Sequence, residues 1–396
     1  MTLIEDSGSW SSLHPDLLEM ILQNLSLREY FKCRQICRYW RDAVDNATKR
    51  CPPASQFPFL LFPHPSPSDS ATVLDLKRDR DNPLHTISIE DWEGQFDVLQ
   101  SLEGWLMFFK ICSAEIINRM ISVFLNPISG EKYQFPPLSV GRYFNPLFVK
   151  VTFTSRPGSP DFLVAILLTN LRKNPLRQQL AYCKVSDTSW TLIETDRSSC
   201  FHEIVMVGLK LYAIDAFKSE CLTVFNLGDL NDITCERLVM VDSKLIVKVP
   251  RHLDDHNDLL HYCDDLETCW LVRDSEEVLL VICHMNFVTD KDGKYLIHAK
   301  GFRIFKLDMS GPRWIELHSL NDRVLLMDSD SIQLMSTKDL DLPGNGVLFC
   351  FNNTLSSSFE KRNLGVFSLK DKKTTLIRFN LPSQASGRCL WFSPRP

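Results

Sequence analysis

One paired motif recurs along this chain and constrains its fold more than any other feature. The first part is a turn followed by an apolar run: GWLMFF at Gly104, GLKLYAI at Gly208, EVLLVI at Glu277 and GVLFCF at Gly346. The second part, within the next few tens of residues, is a strand running into a polar turn: VFLNPISG at Val123, VFNLGD at Val224, IFKLDMSG at Ile304 and VFSLKD at Val366. A further copy, YCKVSDTSW at Tyr182, shares with the Ile304 unit a strand, a turn and a following tryptophan, Trp190 in one and Trp314 in the other. Short apolar runs bounded by turn residues predict antiparallel strands. A strand-pair unit repeated at tens of residues marks a β-propeller, where each blade is a small sheet whose faces are covered by its neighbours. Two all-β sandwich domains are the rival, but they do not explain why one paired motif returns four times. Dividing the ~340 residues available by ~45–50 per blade predicts about seven blades, with six or eight also fitting.

The region ahead of these strands has a different period. His14 precedes Pro15, which suits a first helical turn because the N–H that proline lacks would have no intrahelical partner there. Leu17, Leu18, Ile21, Leu22 and Leu25 follow at one-face helical spacing. Ser26 and Glu29 have the S-x-x-E spacing of a capping box, so a second helix is expected to start there. Tyr30, Cys33, Cys37, Trp40 and Val44 continue the apolar stripe at steps of three and four. CPPASQFPFLLFPHPSPSDS, from Cys51 to Ser70, holds six prolines that stop the helix, and its FPFLLFP centre is apolar enough to dock on the second domain. The expected division is a helical domain over 8–50, a proline-rich connector over 51–70 and an all-β domain over 71–396.

Composition excludes some function classes. A formal net charge of -5 argues against a general nucleic-acid binder, which concentrates Lys and Arg. The start, MTLIEDSGSWSSLHPDLLEM, is acidic where a leader is basic, and no apolar run reaches the roughly 18 residues that span a bilayer. A cytosolic or nuclear protein without membrane contact is expected. The thirteen cysteines lack a framework spacing, so they read as thiols and not disulfides.

Two stretches resemble a known family. Trp10 to Val44, WSSLHPDLLEMILQNLSLREYFKCRQICRYWRDAV, resembles an F-box: a leucine, a proline-containing turn, an apolar helix, then a cysteine followed by two residues and Trp-Arg. The remainder resembles the propeller of plant F-box proteins of the KIB type, through EGWLMFF, FLNPISGEKYQFPPL, SWTLIE, KLYAID and FKLDMSGPRWIELHSLNDRVLLM. His14 departs from the pattern, which usually has proline there. The resemblance implies a small all-α F-box followed by an all-β propeller. It further implies the substrate-recognition subunit of an SCF-type E3 ubiquitin-protein ligase, non-catalytic and without cofactor or metal. The implied partners are a Skp-type adaptor, cullin through that adaptor, and a target protein, with protein kinases as one target class. Leu13, Pro15, Leu18, Ile21, Leu22, Leu25, Leu27, Cys37 and Trp40 match the family's structural and adaptor-contacting positions, and sequence does not separate the two roles. The alternative is a propeller-based inhibitory or scaffolding protein acting without ubiquitination; an enzyme with a site in the propeller channel is a third reading.

Other chemistry-bearing residues have simpler readings. Cys33 and Cys37 have no nearby histidine or second cysteine pair, so they lack the ligand count of a zinc site. Arg28, Lys32, Arg34, Arg38 and Arg41 read as a solvated helix face. Arg251 to Cys269, RHLDDHNDLLHYCDDLETC, carries more mixed ligands than any zinc spacing needs, and a charged loop between blades is expected. From His252 to Glu267 it holds six acidic residues and no Lys or Arg. Asp254, Asp255, Asp258, Asp264 and Asp265 are therefore candidates for attracting a basic target. DKDG at Asp290 lacks the distal carboxylate of a calcium loop and reads as a hairpin turn. No G-x-S-x-G or phosphate-binding loop is present.

Overall fold

Strands buried on both faces must be apolar at every position, and the longest apolar runs here are of that kind. The computed structural model describes residues 13–23, 25, 29, 33, 36–50, 58–63, 70–75, 84–88, 97–112, 117–126, 131–141, 148–155, 157–170, 177–196, 199–215, 221–228, 233–239, 265–289, 295–338, 344–351, 363–377 and 389–393. These residues form six sheets of four or five strands. The first holds β1 (Phe59–Pro63), β2 (Ser70–Asp75) and β3 (Leu84–Ser88), with β26 (Leu390–Phe392) on the open edge of β1. The second holds β4 (Asp97–Leu102), β5 (Trp105–Cys112), β6 (Ile117–Leu125) and β7 (Lys132–Gln134), with β8 (Leu138–Gly141) also on β6. The third is β9 (Phe148–Phe153), β10 (Leu163–Asn170), β11 (Arg177–Lys184) and β12 (Thr191–Ile193). The fourth is β13 (Phe201–Val207), β14 (Lys210–Asp215), β15 (Cys221–Asn226) and β16 (Thr234–Val239). The fifth is β17 (Asp265–Asp274), β18 (Glu277–Thr289), β19 (Tyr295–Asp308) and β20 (Arg313–Leu317). The sixth contains β21 (Arg323–Asp328), β22 (Ile332–Ser336), β23 (Gly346–Phe351), β24 (Asn363–Ser368) and β25 (Lys373–Leu376).

The expected count of about seven blades is not borne out. Among the described residues, single strands of 13 and 14 residues, β18 and β19, use length that uniform blades would have spread over more strands. Five of the six sheets are wholly antiparallel. In the sixth, β21 and β23 run parallel while β22 folds back along the other edge of β21. Gly346 opens β23 where an added Cβ would lie 2.7 Å from the Phe367 carbonyl oxygen, so the close approach of β24 requires glycine there.

Pleat alternation explains the ring. Leu60 and Phe62 of β1 pack with Val324, Leu326 and Trp391 towards the sixth sheet, while Phe59 and Leu61 pack with Leu106 and Phe108 of the second. In β10, Val164, Ile166 and Leu168 face the second sheet, and Leu163, Ala165 and Leu167 face the fourth. The remaining junctions are filled in the same way. Each fully buried Leu, Ile or Phe contributes roughly 1.5–3 kcal/mol of burial. β1 lies inside the stretch assigned from sequence to a connector: FLLFP, Phe59–Pro63, is a blade strand, with Pro58 just ahead of it and Pro63 at its end, where they cost the ladder least.

The C-terminal strand closes the ring through hydrogen bonds as well as packing. Trp391 is fully buried, and its indole N–H donates to the Met327 carbonyl at 2.8 Å. The Trp391 backbone N–H donates to Asp328 Oδ2 at 3.1 Å, and its carbonyl accepts from Gln333 Nε2 at 2.9 Å. Asp328 also accepts from the backbone N–H groups of Asp330 and Ser331 and from the Ser331 hydroxyl, so one carboxylate ties β26 to the β21–β22 turn.

Ahead of the sheets stand α1 (Pro15–Gln23) and α2 (Arg38–Arg50). His14 takes the position before the first helical residue, its carbonyl accepting from Leu18 N–H at 3.1 Å. The turn thus forms without a proline at that place. Among the described residues, no helix is long and apolar enough to cross a membrane.

Candidate functional site

Two surfaces are built to do something beyond holding the fold: the axial channel of the propeller and the exposed side of the helix pair. The channel is walled by inner-edge strands, whose outward N–H and C=O groups have no next strand to bond. Side chains from neighbouring sheets serve instead. Gln100 Oε1 of β4 accepts from Val151 N–H of β9 at 3.2 Å, and Thr152 Oγ1 of β9 accepts from Met206 N–H of β13 at 2.9 Å. Gln178 bonds both the N–H and the carbonyl of Phe201. Arg273 of β17 donates to the carbonyls of Phe153 and Thr154 and pairs with the Glu103 carboxylate.

A chamber of about 50 Å³ lies inside this channel. Across it Lys150 Nζ sits 2.9 Å from Glu203 Oε2 and donates to the Asp330 carbonyl at 2.9 Å. Burial pushes the Glu203 carboxyl up, and the adjacent Lys150 ammonium partly offsets that. Beside them His202 Nε2 lies 2.9 Å from Cys269 Sγ. Burial, with Lys150 nearby, lowers His202 to about 4, and burial pushes the Cys269 thiol far up. Both groups therefore stay neutral near pH 7, and the thiol lacks the thiolate character a nucleophile needs. The arrangement joins two blades.

One end of the channel opens into a depression of about 580 Å³. Its rim includes three two-residue hairpin loops: Glu103–Gly104 between β4 and β5, Gly208–Leu209 between β13 and β14, and Ser275–Glu276 between β17 and β18. Glu103, Gly104, Gly208 and Ser275 have φ between 49° and 85°, the left-handed backbone that such tight turns require. These loops are the turns that open the GWLMFF, GLKLYAI and EVLLVI motifs, so part of the repeat that marks the fold also builds this rim. The GVLFCF copy differs, because β23 pairs parallel with β21 and is not the second arm of such a hairpin. Arg323 pairs with the Asp274 carboxylate on the same rim.

The helix pair divides its apolar residues between two sides. Leu18, Leu22, Cys33, Trp40, Val44 and Ala47 form its own buried cluster, with Leu13, Leu25 and Cys37 packed at the margin. Ile21 is half-buried and Pro15 exposed; Leu27 and Ser26 lie outside the described residues. Outside that cluster Leu17, Met20 and Ile36 are 52%, 62% and 58% exposed. Leu17 belongs to the stripe read from sequence, whereas Met20 and Ile36 were not singled out. The signal for them was present in their offset from the buried set, but a stripe of period 3.6 does not say which edge is covered by the chain itself.

The acidic candidates Asp254, Asp255, Asp258 and Asp264 lie outside the described residues, and Asp265 is the first residue of β17. The depression and channel residues Glu103, Lys150, Glu203, Arg273 and Gln333 were not anticipated. They are far apart in sequence, and only the ring brings them together.

Comparison with known proteins agrees with this geometry. The family described as KIB1-4 beta-propeller matches residues 74–368, and the F-box domain family matches residues 10–51. Among curated proteins of Arabidopsis thaliana, F-box protein At2g17036 is 24% identical over 98% of this chain and 94% of its own length. Probable F-box protein At4g22165 is 23% identical over 98% and 97%, and F-box protein SKIP23 is 23% identical over 98% and 95%. The chain therefore belongs to the KIB1-4 β-propeller family and carries an F-box domain ahead of the propeller.

Proposed function

We propose that the protein is the substrate receptor of an SCF-type E3 ubiquitin-protein ligase and performs no chemistry itself. The F-box docks on a Skp-type adaptor, and through it on cullin, while the hairpin-rimmed face of the propeller holds a target protein. The observation that carries this reading is the exposed apolar set Leu17, Met20 and Ile36 on a helix pair whose own core is already filled. Exposed apolar groups on so small a unit are best satisfied by a partner's helices. The mechanism is proximity: fixing target and charged enzyme in one assembly raises their effective concentration without a new reactive group. Cytoplasm or nucleus is the proposed location, and a protein kinase is one proposed target class.

Affinity purification of the full chain and of a chain lacking residues 1–50, each followed by mass spectrometry, tests the proposal. The full chain is expected to bring down a Skp-type adaptor, cullin and a target, and the shortened chain the target alone. Equal target turnover with both chains would refute the receptor role and favour a scaffold.

A further inference from the structure

Among the described residues, several buried side-chain polar atoms have no hydrogen-bond partner, and the one on the lining of the inner chamber is Oε1 of Gln333. Gln333 on β22 is 4% exposed and lines the inner chamber. Its Nε2 donates to the Trp391 carbonyl, which fixes the direction of the amide. Oε1 is left buried and accepts no hydrogen bond from any described group. A buried amide oxygen without a donor is costly, so a group carrying N–H or O–H is favoured beside it.

Charge narrows the choice of donor. The outer depression and the inner chamber share Glu103, Arg273 and Leu334 as a common wall. In the depression the Arg273–Glu103 and Arg323–Asp274 pairs balance, and Asp161 and Glu276 add negative charge. In the chamber Lys150 and Glu203 balance each other, and Asp330 on the same lining adds one acid. Among the described residues the path is thus acidic at the entrance and slightly acidic within, and it ends at an unused acceptor. Gln333 stands two residues along β22 from Met335 at the rim, ~7 Å at ~3.3 Å per residue, within reach of one long side chain.

We infer that this channel takes a lysine side chain from a partner protein, with the acidic rim drawing in the ammonium and Gln333 Oε1 accepting one of its hydrogens. An ammonium fits better than a guanidinium, being a compact point charge on a flexible stem, while the planar five-donor fork needs acceptors in its own plane. The inference rests on the reading that the propeller face holds a target protein, and it names the chemistry of the contact.

The test uses the full chain and the peptide acetyl-Gly-Gly-Lys-Gly-Gly-amide, with norleucine and Nε-acetyl-lysine counterparts, titrated calorimetrically at low salt. The lysine peptide is expected to bind about tenfold tighter than either counterpart, as a charge-assisted hydrogen bond requires. Asp161→Asn with Glu276→Gln, both on exposed loops, should weaken it several-fold, and Gln333→Met should remove the preference. If Gln333→Met fails to fold, the rim double variant decides. Equal binding of the three peptides, absence of binding, an unaffected rim variant, or binding of spermidine without the lysine peptide would each overturn the inference. Adaptor co-purification from the same preparation separates the two readings. Retained adaptor without a lysine preference refutes this inference alone, and lost adaptor with the preference intact refutes the receptor role alone.

Discussion

Lys150 and Glu203 form an ion pair from adjacent sheets, 2.9 Å apart, with side chains 4% and 7% exposed. Removing one member leaves the other charged and buried. Lys150→Met should therefore destabilise the chain by about 3–5 kcal/mol. Lys150→Met with Glu203→Met should cost less than either single change, because no isolated charge remains. Denaturant unfolding followed by tryptophan fluorescence checks both; a double variant less stable than the two singles would show that neither charge is penalised by losing the other.

Asp328 gives the closure of the ring a pH dependence. Burial raises its carboxyl from the ordinary 3.8 to about 6. The folded chain then holds the proton more tightly than the unfolded chain, so this contribution is full below pH 3.8 and is lost as pH rises through about 6. His202 acts in the opposite sense: lowered to about 4, its contribution is present above its ordinary 6.5 and lost as pH falls towards 4. Comparison with Asp328→Asn cancels the histidine. The margin of the natural chain over that variant should shrink by on the order of 3 kcal/mol between about pH 4 and about pH 7. A margin level with pH would show that Asp328 titrates as an ordinary carboxylate.

The two sides of the F-box helices should respond differently to truncation. Leu18→Ala opens a cavity in the cluster around Trp40 and should destabilise the helix pair by about 2–5 kcal/mol. Leu17→Ala with Met20→Ala removes exposed side chains and should leave thermal unfolding nearly unchanged while reducing adaptor co-purification. Normal co-purification of the double variant would move the interface elsewhere.

Trp391 separates packing from hydrogen bonding at the closing strand. Trp391→Phe keeps most of the ring volume but leaves the buried Met327 carbonyl without its donor, a loss of about 1–3 kcal/mol. Trp391→Ala also empties the site and should cost about 3–5 kcal/mol or more. Calorimetric unfolding of both variants provides the measure, and equal losses would mean that the indole N–H adds nothing.

Much of the architecture was legible because local pattern carries it. The GWLMFF and VFLNPISG words are the adjacent strands β5 and β6, and GLKLYAI and VFNLGD are β14 and β15. The parallel pairing of β21 with β23 was not legible, since Val324 and Gly346 are brought side by side by the intervening hairpin and not by any feature of their own residues. The blade count failed for a related reason: length per sheet is set by strand extension and loops, which the repeat does not encode. In the F-box, the apolar period located the helices, but the division between Leu18 inside and Leu17 outside depends on where α2 lies. The channel residues were hidden most completely, because Lys150, Glu203 and Gln333 come from three different sheets.

The pairing of Leu61 with Leu390 sets an order on synthesis. A ribosome makes the strand that begins the first sheet long before the strand that finishes it, and every sheet between must wait for that junction before the ring can lock. A message cut short just before codon 390 would yield a chain with an intact F-box and an unclosed ring. If the proposed receptor role holds, such a chain would still occupy adaptors while presenting no finished face to a target, and late truncations would then act as dominant competitors and not simple losses.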